Sequence, residues 1–70
     1  MNSVMTLMLN GTPREVSSDL TVQALLVELN LTDRRVAVEV NQEIVPKDDF
    51  FRFKLSQDDV LEIVSFVGGG

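Results

Sequence analysis

Seventy residues with 11 acidic and 6 basic side chains, a net charge of −5, no cysteine and no histidine define this chain first by what they exclude. The length allows one small domain with a modest core and no deep catalytic cleft. Lacking cysteine and histidine, the chain has no disulfide, no thiolate, no imidazole base and no donor set for zinc, while its charge disfavours nucleic acid and anionic membranes and favours a partner with a basic face.

The first predicted element is a strand, Val4 to Leu9, whose alternation puts Met5, Leu7 and Leu9 on one face. Asn10-Gly11 follows and predicts a type I′ hairpin, because both central positions of that turn need positive φ. Thr12 to Val16 is the returning strand, with Pro13 near its start, where a missing N–H does least harm. After the polar break Ser17-Ser18-Asp19, Thr21 is placed to cap a helix over Val22 to Leu29. Val22, Leu25, Leu26 and Leu29 form its apolar stripe, Leu20 and Leu25 fit a hydrophobic staple, and Asn30 suits the left-handed stop.

Val36, Val38 and Val40 alternate with Ala37, Glu39 and Asn41 in a third strand. Asn41-Gln42-Glu43 turns the chain into a short strand, Ile44-Val45, closed by Pro46. Lys47 to Asp49 reads as a charged connection. Phe50, Phe51, Phe53 and Leu55 read as core plus lid, since base-stacking platforms come with basic grooves and this segment is flanked by acids. Ser56 to Asp59 turns into a last strand from about Val60 to Val67. Leu61 and Ile63 share its inner face, and Val60, Val64 and Phe66 share the other with Glu62. The outward apolar pair Val64 and Phe66 is a candidate docking patch.

That strand runs into Gly68-Gly69-Gly70. A glycine tail adopts almost any backbone conformation and passes through a channel too narrow for side chains. From Phe66 to Gly70 it reaches about 16–18 Å when extended. Its terminal carboxylate is a usable nucleophile that a partner enzyme could activate. The expected organisation is therefore a domain over residues 1–67 and a functional tail, Gly68 to Gly70.

One helix covers one face of a sheet, so the order strand, strand, helix, strand, short strand, strand predicts an α+β roll with a mixed sheet of about five strands. Pairing the first and last strands in parallel at its centre makes this the ubiquitin-like β-grasp. No apolar run approaches a membrane span and the first residues do not read as a signal peptide, so a soluble cytoplasmic protein is expected.

Over nearly its whole length the chain resembles the ThiS-type sulfur carriers of thiamine biosynthesis. The resemblance lies in Leu20-Thr21-Val22 with Leu25-Leu26, in Val38-Glu39-Val40-Asn41 running into Ile44-Val45-Pro46-Lys47, and in Glu62-Ile63-Val64-Ser65-Phe66-Val67-Gly68-Gly69-Gly70. Such carriers usually have Gly-Asp before the last strand, where this chain has Asp58-Asp59; aspartate tolerates positive φ better than most residues. The resemblance implies a protein substrate that is not itself an enzyme and carries no cofactor. A ThiF-like adenylyltransferase would join AMP to the carboxylate of Gly70, a sulfur donor protein would displace AMP to leave a thiocarboxylate, and a ThiG-like thiazole synthase would take the sulfur. No phosphate-binding glycine loop opens the helix, so the ATP chemistry must come from a partner.

Three other readings use parts of the same pattern. The small subunit of molybdopterin synthase and a ubiquitin-like protein modifier share the tail chemistry, and a noncovalent β-grasp interaction module would need the fold without the tail. The acidic pairs Asp48-Asp49 and Asp58-Asp59 lack the longer ligand pattern of a calcium loop and read as solvated turns.

Overall fold

A computed structural model describes residues 3–66, so the expectations placed on Val67 and on Gly68, Gly69 and Gly70 lie outside the described residues. The elements are β1 (Val4–Leu9), β2 (Thr12–Ser17), α1 (Val22–Glu28), β3 (Arg35–Val40), β4 (Glu43–Ile44) and β5 (Val60–Phe66). They form a five-stranded sheet in the order β2-β1-β5-β3-β4. β5 is the middle strand, parallel to β1 on one side and antiparallel to β3 on the other. This is the expected β-grasp.

The two hairpins turn on asparagines. Asn10 and Gly11 have φ of 49° and 84°, the all-positive geometry expected of Asn-Gly. Asn41 and Gln42 do the same at 53° and 72°, which brings Glu43 opposite Val40 and starts β4 one residue earlier than expected. β4 is therefore Glu43–Ile44, with Ile44 exposed, while Val45 turns inward and is buried. Its N–H donates to the Val38 carbonyl at 2.9 Å.

The amide groups at the start of α1 are met one by one. Thr21 Oγ1 accepts from Ala24 N–H at 3.1 Å, as expected of the cap. The Val22 and Gln23 N–H groups donate to the carbonyls of Phe53 and Phe50 at 3.0 and 2.9 Å. The segment from Phe50 to Phe53 thus serves as a second cap from the far side of the chain. At the other end Leu29 is the cap residue and Asn30 takes φ 60°. Asn30 N–H bonds to Val27 O and Leu31 N–H to Leu26 O, a Schellman closure in which asparagine replaces the usual glycine.

The core lies between α1 and the inner face of the sheet. Leu7, Val22, Leu25, Val38 and Leu61 are its fully buried side chains. Each contributes about 1.5–3 kcal/mol by leaving water. Phe50 and Leu55 close its edge and Phe53 packs against it in part. Phe51 does not belong there: it is exposed, with the Arg52 guanidinium 5.4 Å from its ring centroid. Four closely spaced apolar residues in a segment that is neither helix nor strand cannot all face inward. Lys47–Asp49, expected as a plain connection, is a single 3-10 turn held by Asp49 N–H to Pro46 O and Phe50 N–H to Lys47 O. Among the described residues, no helix is long and apolar enough to cross a membrane.

Candidate functional site

β5 is the element that leads to the glycine tail, and three side chains fasten it. Where β1 stops at Leu9, the side chain of Asn10 carries on in its place. Its Nδ2 donates to Ile63 O at 3.1 Å and its Oδ1 accepts from Ile63 N–H at 2.8 Å. One amide side chain therefore pairs as one more strand residue would. On the opposite side, Asn41 Oδ1 accepts from Val60 N–H at 3.0 Å and its Nδ2 donates to Asp59 Oδ1 at 3.0 Å. Asp59 Oδ2 accepts from Ser56 N–H at 2.8 Å and closes the turn that launches β5.

These bonds revise the picture of the acidic pairs. Asp59 is a half-buried acceptor in the turn, not a solvated carboxylate. Asp49 is ion-paired to Arg52. Asp58 takes a positive φ, 71°, the conformation expected of an aspartate in this turn. Among the described residues, no group of three or more acidic side chains is arranged to hold a metal ion.

Alternation along β5 separates its two faces as expected. Leu61 and Ile63 are 0% and 7% exposed, whereas Val64 and Phe66 are 53% and 55% exposed. The outward residues have company that the sequence reading did not assign. Met8 lies opposite Val60 across the parallel ladder, and both are exposed. Ala37 lies opposite Val64, and Arg35 opposite Phe66. An apolar strip, Met8, Val60, Val64 and Phe66, thus runs along the helix-free face toward the tail, interrupted by Glu62. The signal was present in the sequence, since Met8 falls on the opposite parity from Met5 and Leu7; what was missing was the neighbour relation between β1 and β5. Gly68, Gly69 and Gly70 lie beyond the described residues and follow this strand in sequence after Val67.

Comparison with known proteins places this geometry. The sequence profile of the ThiS family matches residues 7–70. A thiazole synthase from Paramagnetospirillum magneticum is 50% identical over 66 residues, covering 94% of this chain and 20% of that protein. The chain thus spans about a fifth of the length of the thiazole synthases it matches. The sulfur carrier protein ThiS of Bacillus subtilis is 43% identical over 65 residues, covering 91% of this chain and 98% of the relative. The crystal structure of the thiamine biosynthesis protein ThiS from Geobacter metallireducens superposes with a TM-score of 0.79 at 33% identity, covering 94% of this chain and 100% of that one. A profile match that begins in β1 and runs through the final glycines, on a fold shared with a solved member, means that this chain belongs to the ThiS family.

Proposed function

We propose that the chain is a sulfur carrier of thiamine biosynthesis, charged at Gly70 and serving two partner enzymes as their substrate. A ThiF-like adenylyltransferase brings ATP. The Gly70 carboxylate oxygen attacks the α-phosphorus, pyrophosphate leaves, and an acyl-adenylate forms. A hydrosulfide equivalent from a sulfur donor protein then attacks the acyl carbon, AMP leaves, and a thiocarboxylate remains. A ThiG-like thiazole synthase accepts that sulfur. With no cysteine in the chain, the carrier has no thiol side chain on which to hold sulfur.

The observation that carries this reading is the family match extending through Gly70, on a fold whose central strand, β5, ends at Phe66, four residues before it in sequence. The similarity to a thiazole synthase that spans only a fifth of that protein adds support, because it associates a segment like this chain with an enzyme named for thiazole formation. Docking is assigned to Val64 and Phe66, joined by Met8 and Val60. Exposed apolar side chains continuous with the root of a reactive tail are suited to seat it in an enzyme channel.

The test is intact mass spectrometry after incubation with the ThiF-like enzyme, ATP and a sulfur donor. The expected product carries sulfur in place of one C-terminal oxygen. If no thiocarboxylate forms with such a partner, the assignment is wrong.

A further inference from the structure

The chain is acidic overall, yet its positive charge is concentrated beside the root of the tail. A groove of about 550 Å³ opens where β3 begins and β5 ends. Arg34, Arg35 and Lys47 line it, which is half of the chain's 6 basic residues. Leu26 and Phe50 contribute to its apolar wall and Phe66 borders it. A shallower concavity next to it again involves Arg34, Arg35 and Phe66, with Asp33 as its acidic residue. Among the described residues, ion pairs are made by Arg14 with Glu28 and by Arg52 with Asp49, and none by Arg34, Arg35 or Lys47. Three cations that make no ion pair among the described residues, set around an apolar trough, select an occupant that is both anionic and apolar.

Three occupants compete. Nucleic acid is disfavoured by the net charge of −5 on the molecule as a whole. The phosphate of an acyl-adenylate is disfavoured by distance: a tail drawn out for adenylation carries its carboxylate about 16–18 Å away from Phe66, far beyond a guanidinium's reach. An acidic protein segment at the mouth of the channel that receives the tail meets both the charge and the position.

We infer that the groove of Arg34, Arg35 and Lys47 beside Phe66 is a docking seat for an acidic segment of the adenylating partner, one that presents carboxylates and an apolar side chain together. This rests on the carrier reading for the identity of the partner. It also reverses locally the preference for a basic partner suggested by net charge. The groove sets the angle at which β5 meets the partner, and the apolar strip on the outer face supplies the remaining contact.

The experiment has two arms. In the first, the full chain labelled with nitrogen-15 is titrated with a blocked peptide of glutamates flanking a phenylalanine, and with its glutamine counterpart. The acidic peptide should saturably shift the amides of Arg34, Arg35, Val36, Lys47 and Phe66. The shifts should vanish in high salt, where the screening length falls to about 3 Å, and in the Arg34→Glu/Arg35→Glu variant. Absence of saturable shifts, or equal shifts with the glutamine peptide, overturns the inference. In the second arm the same variant, checked for an unchanged melting temperature, is assayed with the ThiF-like enzyme. KM should rise by roughly tenfold with kcat nearly unchanged, because charges at the rim act on encounter. Lys47→Glu alone should give a smaller rise in the same direction. An unchanged KM for both variants overturns the inference while leaving the carrier function standing. A wild-type chain that is never charged overturns the carrier function, and the peptide arm then decides the groove by itself.

Discussion

Asn10→Gly isolates the fastening of β5 from everything else at the hairpin. The backbone there has φ 49°, which glycine adopts without strain, so the turn survives. What disappears is the pair of bonds to Ile63, at 3.1 and 2.8 Å. A net value of about 0.5–1.5 kcal/mol per bond gives a loss of about 1–3 kcal/mol. For a domain of this size each kcal/mol moves the melting temperature by about 4–8 °C, so a loss near 2 kcal/mol lowers it by about 8–16 °C. Glycine also loosens the unfolded chain but relieves a left-handed non-glycine residue, so these two backbone effects, each up to about 1 kcal/mol, oppose one another and the lost bonds set the sign. Asn10→Asp separates the two effects. It keeps an acceptor for Ile63 N–H but faces the Ile63 carbonyl with an oxygen, and it should destabilise without any change in chain entropy of the glycine kind. The assay is urea or thermal unfolding together with hydrogen exchange at the Ile63 amide, which should lose protection in Asn10→Gly. If Asn10→Gly unfolds within about 0.3 kcal/mol of wild type and Ile63 stays protected, the side chain is not extending β1 and the reasoning fails.

Three further outcomes are expected. Phe66→Ala should weaken binding to the adenylating enzyme by about 1–3 kcal/mol and cost little fold stability, whereas Ile63→Ala, which opens the core, should cost about 2–5 kcal/mol in denaturation; equal destabilisation by both would contradict the outward role of Phe66. Asp58→Gly relieves a left-handed aspartate at φ 71° and should be neutral or stabilising by up to about 1 kcal/mol, so a clear loss of stability in calorimetry would show that the side chain matters more than the backbone. Deleting Gly70 retracts the carboxylate by about 3.3–3.6 Å, and Gly70→Ala adds a Cβ in a narrow channel, so both variants should melt like wild type and be poor substrates by intact mass; equal charging of the deletion counts against the assigned mechanism.

Local chemistry made much of this architecture legible. Alternating apolar residues marked β1, β3 and β5, Asn10-Gly11 announced its turn, and Thr21 and Asn30 bracketed the helix to within a residue. Each of those signals is written within a few neighbouring residues. The rest depends on partners far apart in sequence. Asn10 meets Ile63, and Asn41 meets Val60 and Asp59, only after the sheet is assembled. The 3-10 turn at Lys47–Asp49 sits where the following carbonyls of Phe50 and Phe53 are needed at the start of α1. The basic groove collects Arg34 and Arg35 at the start of β3, Lys47 from the 3-10 turn and Phe66 from the end of β5, and no short window of sequence contains it. Phe51 is the phenylalanine of this cluster that faces outward, and composition alone does not say which of several neighbouring phenylalanines does so.

The middle strand of the sheet is also the last of its five strands in sequence. Before β5 exists, β1–β2 and β3–β4 are two separate hairpins, and an isolated hairpin is marginally stable at best in water. Folding must therefore await the ribosome's delivery of nearly the whole domain, and then proceeds by closing the long loop between β1 and β5, a slow, nonlocal step. A chain lacking β5 has no assembled sheet face or groove to present, so competence for recognition arrives only with that strand.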